Sequence, residues 1–259
     1  MACVLFFGDV VGQAGCDCLR RKMPKLRKQY QPDVIVANGE NSAEGNGITP
    51  HSAKQLWNCG VNVITLGNHG LRRREIYEVL ERKEGIVRPA NLHPSAPGVG
   101  WYLYDHPSFS LAVINLIGRV YMDHTENPFD TVDRLLKQIE CPNILVDFHA
   151  EATAEKLSMG HYLDGRVSAV IGTHTHVATA DERLLPKGTA YLTDAGMCGG
   201  RDSILGVTKG PAIERMRTGL PARFSNDVEK IELHGVILWF GSQGKVEKIE
   251  RLAVSGDSP

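Results

Sequence analysis

A chain of 259 residues, 42% of them hydrophobic, can bury one sizeable core, and a single domain spanning 1–259 is expected. A formal net charge of −1 leaves no global excess to attract nucleic acid or a membrane surface. No apolar run approaches the roughly 18–20 residues of a membrane span, and "MACVLFFGDV" is too short for a signal peptide and lacks its basic start. The six cysteines, Cys3, Cys16, Cys18, Cys59, Cys141 and Cys198, form no C-x-x-C pair. Free thiols and a cytoplasmic location follow as the expectation.

In chain order, short β-rich runs alternate with helical patterns. "VLFFGD" predicts the first strand. Leu19, Met23, Leu26 and Tyr30 then recur at helical spacing, with Pro24 expected to start or kink a helix rather than sit in mid-run. "DVIVANGE" predicts a strand, "ITPHSAKQLWNCG" a helix ending at glycine, "VNVITLGNHG" a strand and "REIYEVLERK" a helix. "WYLYDH" and "SLAVINLIG" read as paired strands. "NPFDTVDRLLKQI" follows as a helix, "NILVDFHA" as a strand, "EATAEKLSMGHYL" as a helix and "VSAVIGTH" as a strand. "TAYLTDAG", "HGVILWF" and "KVEKIERLAV" supply the closing strands. The alternation predicts an α/β fold. The paired strands exclude a purely parallel sheet, and two packed mixed sheets with helices outside fit the pattern.

The residues that follow the strands carry the chemistry. Asp9 follows the first strand, Glu40 and Asn41 the second, and Asn68 and His69 the third. His149 follows "NILVDF", and His174 and His176 follow "VSAVIGT". Ligands of open α/β folds collect outside the carboxyl ends of strands. The spacing of His174 and His176 predicts an extended pair with both rings on one side. Asp9, Glu40, Asn41, Asn68, His149, His174 and His176 are more donors than one ion uses, so two metals bridged by Glu40 are expected. A mixed nitrogen and oxygen set without thiolate suits iron, manganese, zinc or cobalt. Singly, each residue has a plainer explanation: Asp9 as a helix cap, "GNH" as a turn, His149 as a hydrogen-bonded core histidine. Their recurrence at strand ends is what points to metal.

Across "FFGDVVG", "NGENSAEGNG", "TLGNHG", "DFHAEAT", "GTHTHV" and "TDAGM" the chain resembles the YmdB-like family of calcineurin-type metallophosphoesterases. "NGENSA" and "DFHAEAT" are the family-specific elements, and the similarity runs over essentially the whole chain. The resemblance implies a four-layer αββα sandwich of the metallo-dependent phosphatase kind. It implies two metal ions per chain, iron first and manganese able to substitute. Asp9, Glu40, Asn41 and His176 would hold one ion; Glu40, Asn68, His149 and His174 the other; His69 would be the general acid. Val11 stands where many superfamily members carry a histidine. Leu71 stands where relatives tend to carry an aromatic, and Gly200-Arg201 where they often carry a proline and an aromatic or histidine, so the "GMCGG" segment is expected to be a loop able to move.

The implied activity is hydrolysis of a phosphodiester, with cyclic nucleotides as the substrate class and the 2′,3′-cyclic form as first choice. A metal-bridging hydroxide would attack phosphorus, and His69 would protonate the leaving oxygen. The alternatives are a metal-dependent phosphomonoesterase and a regulatory or RNA-associated protein with weak turnover; a two-metal hydrolase of C–N bonds ranks below them. RNA binding has only the basic cluster Arg20, Arg21, Lys22, Lys25, Arg27 and Lys28 in its favour, and a solvated helix face explains that cluster better. Arg72, Arg73 and Arg74 read as the solvated start of a helix, while Arg119 is a candidate to reach the site. A homo-oligomer is compatible with the chain.

Overall fold

The structure is a computed structural model in which residues 1–107 and 109–256 are described. Its elements in chain order are β1 (Ala2–Phe7), β2 (Asp9–Val10), α1 (Gly12–Tyr30), β3 (Val34–Asn38), α2 (Pro50–Asn58) and β4 (Val63–Thr65). A 3-10 turn (Arg74–Ile76) leads into α3 (Tyr77–Glu81), then β5 (Ile86–Val87), β6 (Trp101–Tyr104), β7 (Leu111–Ile117) and α4 (Pro128–Leu136). Next come β8 (Ile144–His149), α5 (Thr153–Tyr162), β9 (Ala169–Thr173), β10 (Arg183–Leu184), β11 (Ala190–Leu192) and β12 (Met197–Gly200). The chain closes with α6 (Lys209–Thr218), β13 (Ile231–Phe240) and β14 (Val246–Ser255).

Two mixed sheets form. The eight-stranded sheet runs β2-β12-β13-β1-β3-β4-β5, with β14 on the other side of β13. The six-stranded sheet runs β10-β11-β9-β8-β7-β6. Side chains on a strand alternate between faces, and both faces of the central strands β1, β3, β4, β7, β8, β9 and β11 are covered, which is why their sequences are largely apolar. Leu5, Phe7, Ile35 and Ala37 face a core shared with α1, α2 and α3. Val4, Phe6, Val34 and Val36 face the second sheet, where they meet Val113, Leu145 and Ile171. On that sheet's far side Ile114, Val146 and Phe148 join Val132, Met159 and Leu163 of the outer helical layer. Three cores between four layers make the αββα sandwich.

Local signals account for several boundaries. Thr49 caps α2 by accepting from the Ser52 N–H, Ser52 returns the bond, and Pro50 occupies the first turn. Asn127 caps α4 ahead of Pro128 by accepting from the Phe129 N–H. Pro24 corrects an expectation: it lies within α1, which runs on to Tyr30. Pro24 is exposed, so the backbone acceptor that it leaves without a partner lies on the solvent side of the helix. The "GMCGG" segment is another correction. Met197–Gly200 is strand β12, hydrogen-bonded to Asp9 and Val10 of β2 on one side and to β13 on the other. "REIYEVLERK" yields only the 3-10 turn and the short α3, and α6 was not foreseen. Among the described residues no helix is long and apolar enough to cross a membrane.

Candidate active site

The strand ends of both sheets meet at one place. Asp9 opens β2, Glu40 and Asn41 follow β3, Asn68 and His69 follow β4, His149 ends β8, and His174 and His176 follow β9. Asp9, Glu40, Asn41 and His149 are buried; Asn68, His69, His174 and His176 are half-buried. All eight residues come together. The two histidines after β9 are not extended as expected. His174 has φ 102° and His176 φ 65°, conformations that L residues rarely adopt and that persist only where surrounding contacts enforce them.

His149 is one hub. Its Nε2 lies 3.0 Å from Glu40 Oε1, 3.0 Å from Asn68 Oδ1 and 3.1 Å from His174 Nδ1. Glu40, His149 and His174 each offer a ligand atom within 4.8 Å of one another, a group that could hold a metal ion. Behind the ring, the Thr173 hydroxyl donates to Asp147 Oδ1 at 2.6 Å. Thr173 Oγ1 therefore accepts from His149 Nδ1 at 2.9 Å, which leaves Nε2 as the nitrogen facing the site. Thr65 and Asn38 also donate to Asp147 Oδ2, at 2.5 and 3.1 Å.

Asn41 is the second hub. Its Nδ2 lies 3.3 Å from Asp9 Oδ1, 3.5 Å from Glu40 Oε1 and 3.2 Å from His176 Nε2. His176 Nε2 is 3.6 Å from Asp9 Oδ1, and its Nδ1 donates to the Leu205 carbonyl at 3.0 Å. The His69 ring meets Asn41 Oδ1 through Nδ1 at 2.7 Å, and the His69 N–H donates to Glu40 Oε2 at 2.7 Å. Val11 is buried, with Gly199 and Gly206 packed close against it.

Electrostatics couple the two hubs. Burial would lower the His149 pKa, but the Glu40 and Asp9 carboxylates outweigh it and hold the imidazole at about 9. Burial and the neighbouring His149 push His174 down to about 4. Burial works to raise Asp9, yet His176 and His149 hold it well below the usual carboxylate range. Glu40 is lowered too, burial being outweighed by His149. Burial lowers His69.

Sequence reasoning missed the residues that shape the His174–His176 turn. Asp194 Oδ2 accepts from the Thr175 N–H at 3.1 Å and from its hydroxyl at 2.8 Å. Lys156 of α5, buried, pairs with the same oxygen at 2.6 Å. A lysine on a helix carries no signal of this, although "TDAG" did stand out as a strand end. Arg72 and Arg73 bind Asn46 and Glu44 and so brace that loop. Leu71 packs against the core beside the helices. Arg119 is exposed, and its N–H donates to the Glu155 carboxylate. Neither Leu71 nor Arg119 lines the cavity over the site.

The YmdB-like protein family model matches residues 5–252. The chain belongs to the YmdB-like family. It is 45% identical over 257 residues to a 2′,3′-cyclic-nucleotide 2′-phosphodiesterase of Bacillus subtilis, covering 98% of this chain and 97% of that protein. A hypothetical protein from Thermus thermophilus superposes with TM-score 0.93 at 40% identity, over 98% of this chain and 99% of the other. A novel phosphatase of Mycoplasma pneumoniae superposes with TM-score 0.93 at 34% identity, over 98% and 93%.

Proposed function

We propose that this YmdB-like protein is a metal-dependent phosphodiesterase acting on cyclic nucleotides, with the 2′,3′-cyclic form as its first substrate. The observation that carries the metal reading is the cluster around His149 Nε2. Three acceptors, Glu40 Oε1, Asn68 Oδ1 and His174 Nδ1, converge on His149 Nε2, and the one proton that this nitrogen can carry serves only one of them. Such a set suits a cation. A set without thiolate suits iron, manganese, zinc or cobalt, and the family resemblance puts iron first with manganese as substitute. The substrate reading is supported by the name of the Bacillus subtilis relative. Six buried free thiols fit a reducing cytoplasm.

Glu40, Asn68, His149 and His174 would hold one ion, and Asp9, Glu40, Asn41 and His176 the other. When bound, the two ions neutralise phosphoryl charge and make hydroxide available near neutral pH. For Asn41 to offer its oxygen, the amide must turn about. As the water-derived oxygen bonds to phosphorus, the bond from phosphorus to the ribose oxygen breaks, and His69, entering as imidazolium, would give that oxygen its Nε2 proton and be left as neutral imidazole. A phosphomonoesterase is the second reading, favoured by the likeness to the Mycoplasma phosphatase.

The test assays 2′,3′-cyclic AMP, 3′,5′-cyclic AMP and an aryl phosphomonoester side by side on metal-replete protein whose metal content is measured. Diester turnover that disappears in Glu40→Gln supports the reading. Metal-replete protein that cleaves only the monoester transfers the function to the second reading, and replete protein without metal overturns both.

A further inference from the structure

The cavity over the site, about 360 Å³, has two unlike halves. Its floor is polar: Glu40, Asn41, His69, His174 and His176. Its opposite wall is apolar, built by Ile204, Leu205, Val207, Ala212, Met216 and Phe224. The whole wall comes from the segment between β12 and β13. Met216 is 82% exposed, Leu205 51% and Phe224 39%, and such a cluster on a surface ordinarily marks a binding site.

The wall is tied to the floor. Ile204 and Val207 exchange backbone hydrogen bonds, at 2.9 and 3.1 Å, across a tight turn with Leu205 at φ 53° and Gly206 at φ 95°. Positive φ at both central positions ordinarily selects Asn-Gly or Gly-Gly. A leucine there is strained, and strain of this kind collects at ligand sites. The carbonyl of that same Leu205 receives the His176 Nδ1 proton. Ala212 and Met216, four residues apart on α6, present one helix face to the cavity. The Arg215 guanidinium lies 5.3 Å from the centroid of the Phe224 ring, a contact that steadies the ring.

Resting on the phosphodiesterase reading above, we propose that this wall is the subsite for the nucleobase of the substrate, with Phe224 and Leu205 as its contact surfaces. A nucleotide whose phosphate lies on the polar floor has one large apolar face left to bury, the base. An apolar wall beside the phosphate site matches that division, and the cavity falls in the size range of small-molecule sites. Stacking on an aromatic ring tolerates any base, so the wall reads the presence of a base more than its identity.

The experiment compares kcat/KM for 2′,3′-cyclic AMP and for 1-O-methylribose 2,3-cyclic phosphate, which carries the same diester without a base. The proteins are the wild type, Phe224→Ala and Leu205→Gly; the glycine variant keeps the turn backbone and the carbonyl that holds His176. Wild type should favour the nucleotide at least about tenfold, and each variant should cut that ratio about tenfold, chiefly through KM. Equal use of both substrates by the wild type, or an unchanged ratio in both variants, overturns the proposal and leaves the phosphodiesterase reading standing. If the wild type cleaves neither diester, that reading fails, and equilibrium dialysis with 2′,3′-cyclic AMP decides the wall separately. Binding weakened about tenfold in Phe224→Ala supports it; unweakened binding, or none by the wild type, overturns it.

Discussion

Gly67 shows how little slack the site has. A Cβ at this position would collide with the His149 ring and with Glu40 Oε2, atoms that a buried, hydrogen-bonded arrangement holds in place. Gly67→Ala should therefore lower bound metal by at least half, read by elemental analysis, while the far-ultraviolet circular dichroism of the folded chain persists. At His69 the expectation separates chemistry from binding. His69→Ala should lower kcat on a cyclic nucleotide by about 10²–10⁴, the usual worth of general acid help. On a p-nitrophenyl diester, whose nitrophenolate leaves without a proton, the loss should be much smaller. Steady-state kinetics on the two substrates check this, and equal losses on both would remove His69 from the role of acid. The seven candidate donors and His69 were legible as residues at strand ends. Their supports, Thr173, Asp147 and Thr175, were not, because a threonine or an aspartate within a strand or turn reads the same whether or not an imidazole lies behind it.

At the scale of elements, α5 reaches into the site through Lys156. The Lys156–Asp194 pair is buried and short at 2.6 Å, and Asp194 also holds Thr175 and the Gly196 N–H. Lys156→Met should cost about 3–5 kcal/mol, since it leaves a buried carboxylate without its cation. Urea unfolding measures that loss, and a change well below 1 kcal/mol would mean that Asp194 is neutralised by other means. The element missed altogether, α6, was illegible for a physical reason. Only Ala212 among its residues is buried, while Ile213 and Met216 are exposed, so no amphipathic pattern records its packing. β12 was obscured by its two glycines, which read as a loop. Close packing explains them: a Cβ at Gly200 would meet Asp227 at 2.8 Å.

The whole molecule places its thiols out of reach. All six cysteines are buried in the layers or at their margins. Burial pushes Cys16 up to about 12 and Cys3 up to about 11. The thiolate is the reactive form, so raised values leave even less of it at neutral pH than a free cysteine has. Native protein should consume little Ellman reagent at pH 8, and denatured protein should consume six equivalents for its six cysteines. Rapid reaction of several thiols in the native state would contradict the packing of the layers.

The sequence by itself determined the alternation of strands and helices, the apolar strands covered on both faces, and the donor residues that follow them, because these depend on neighbours in the chain. Only the tertiary structure decided which donors share a space. Asp9 accepts from the backbone of His174, 165 positions away, and no local pattern carries that distance. The positive φ at His174 and His176 also belongs to the assembled fold. Asp194, Lys156 and Asp9 enforce it from other elements, against the extended conformation that the spacing alone suggests.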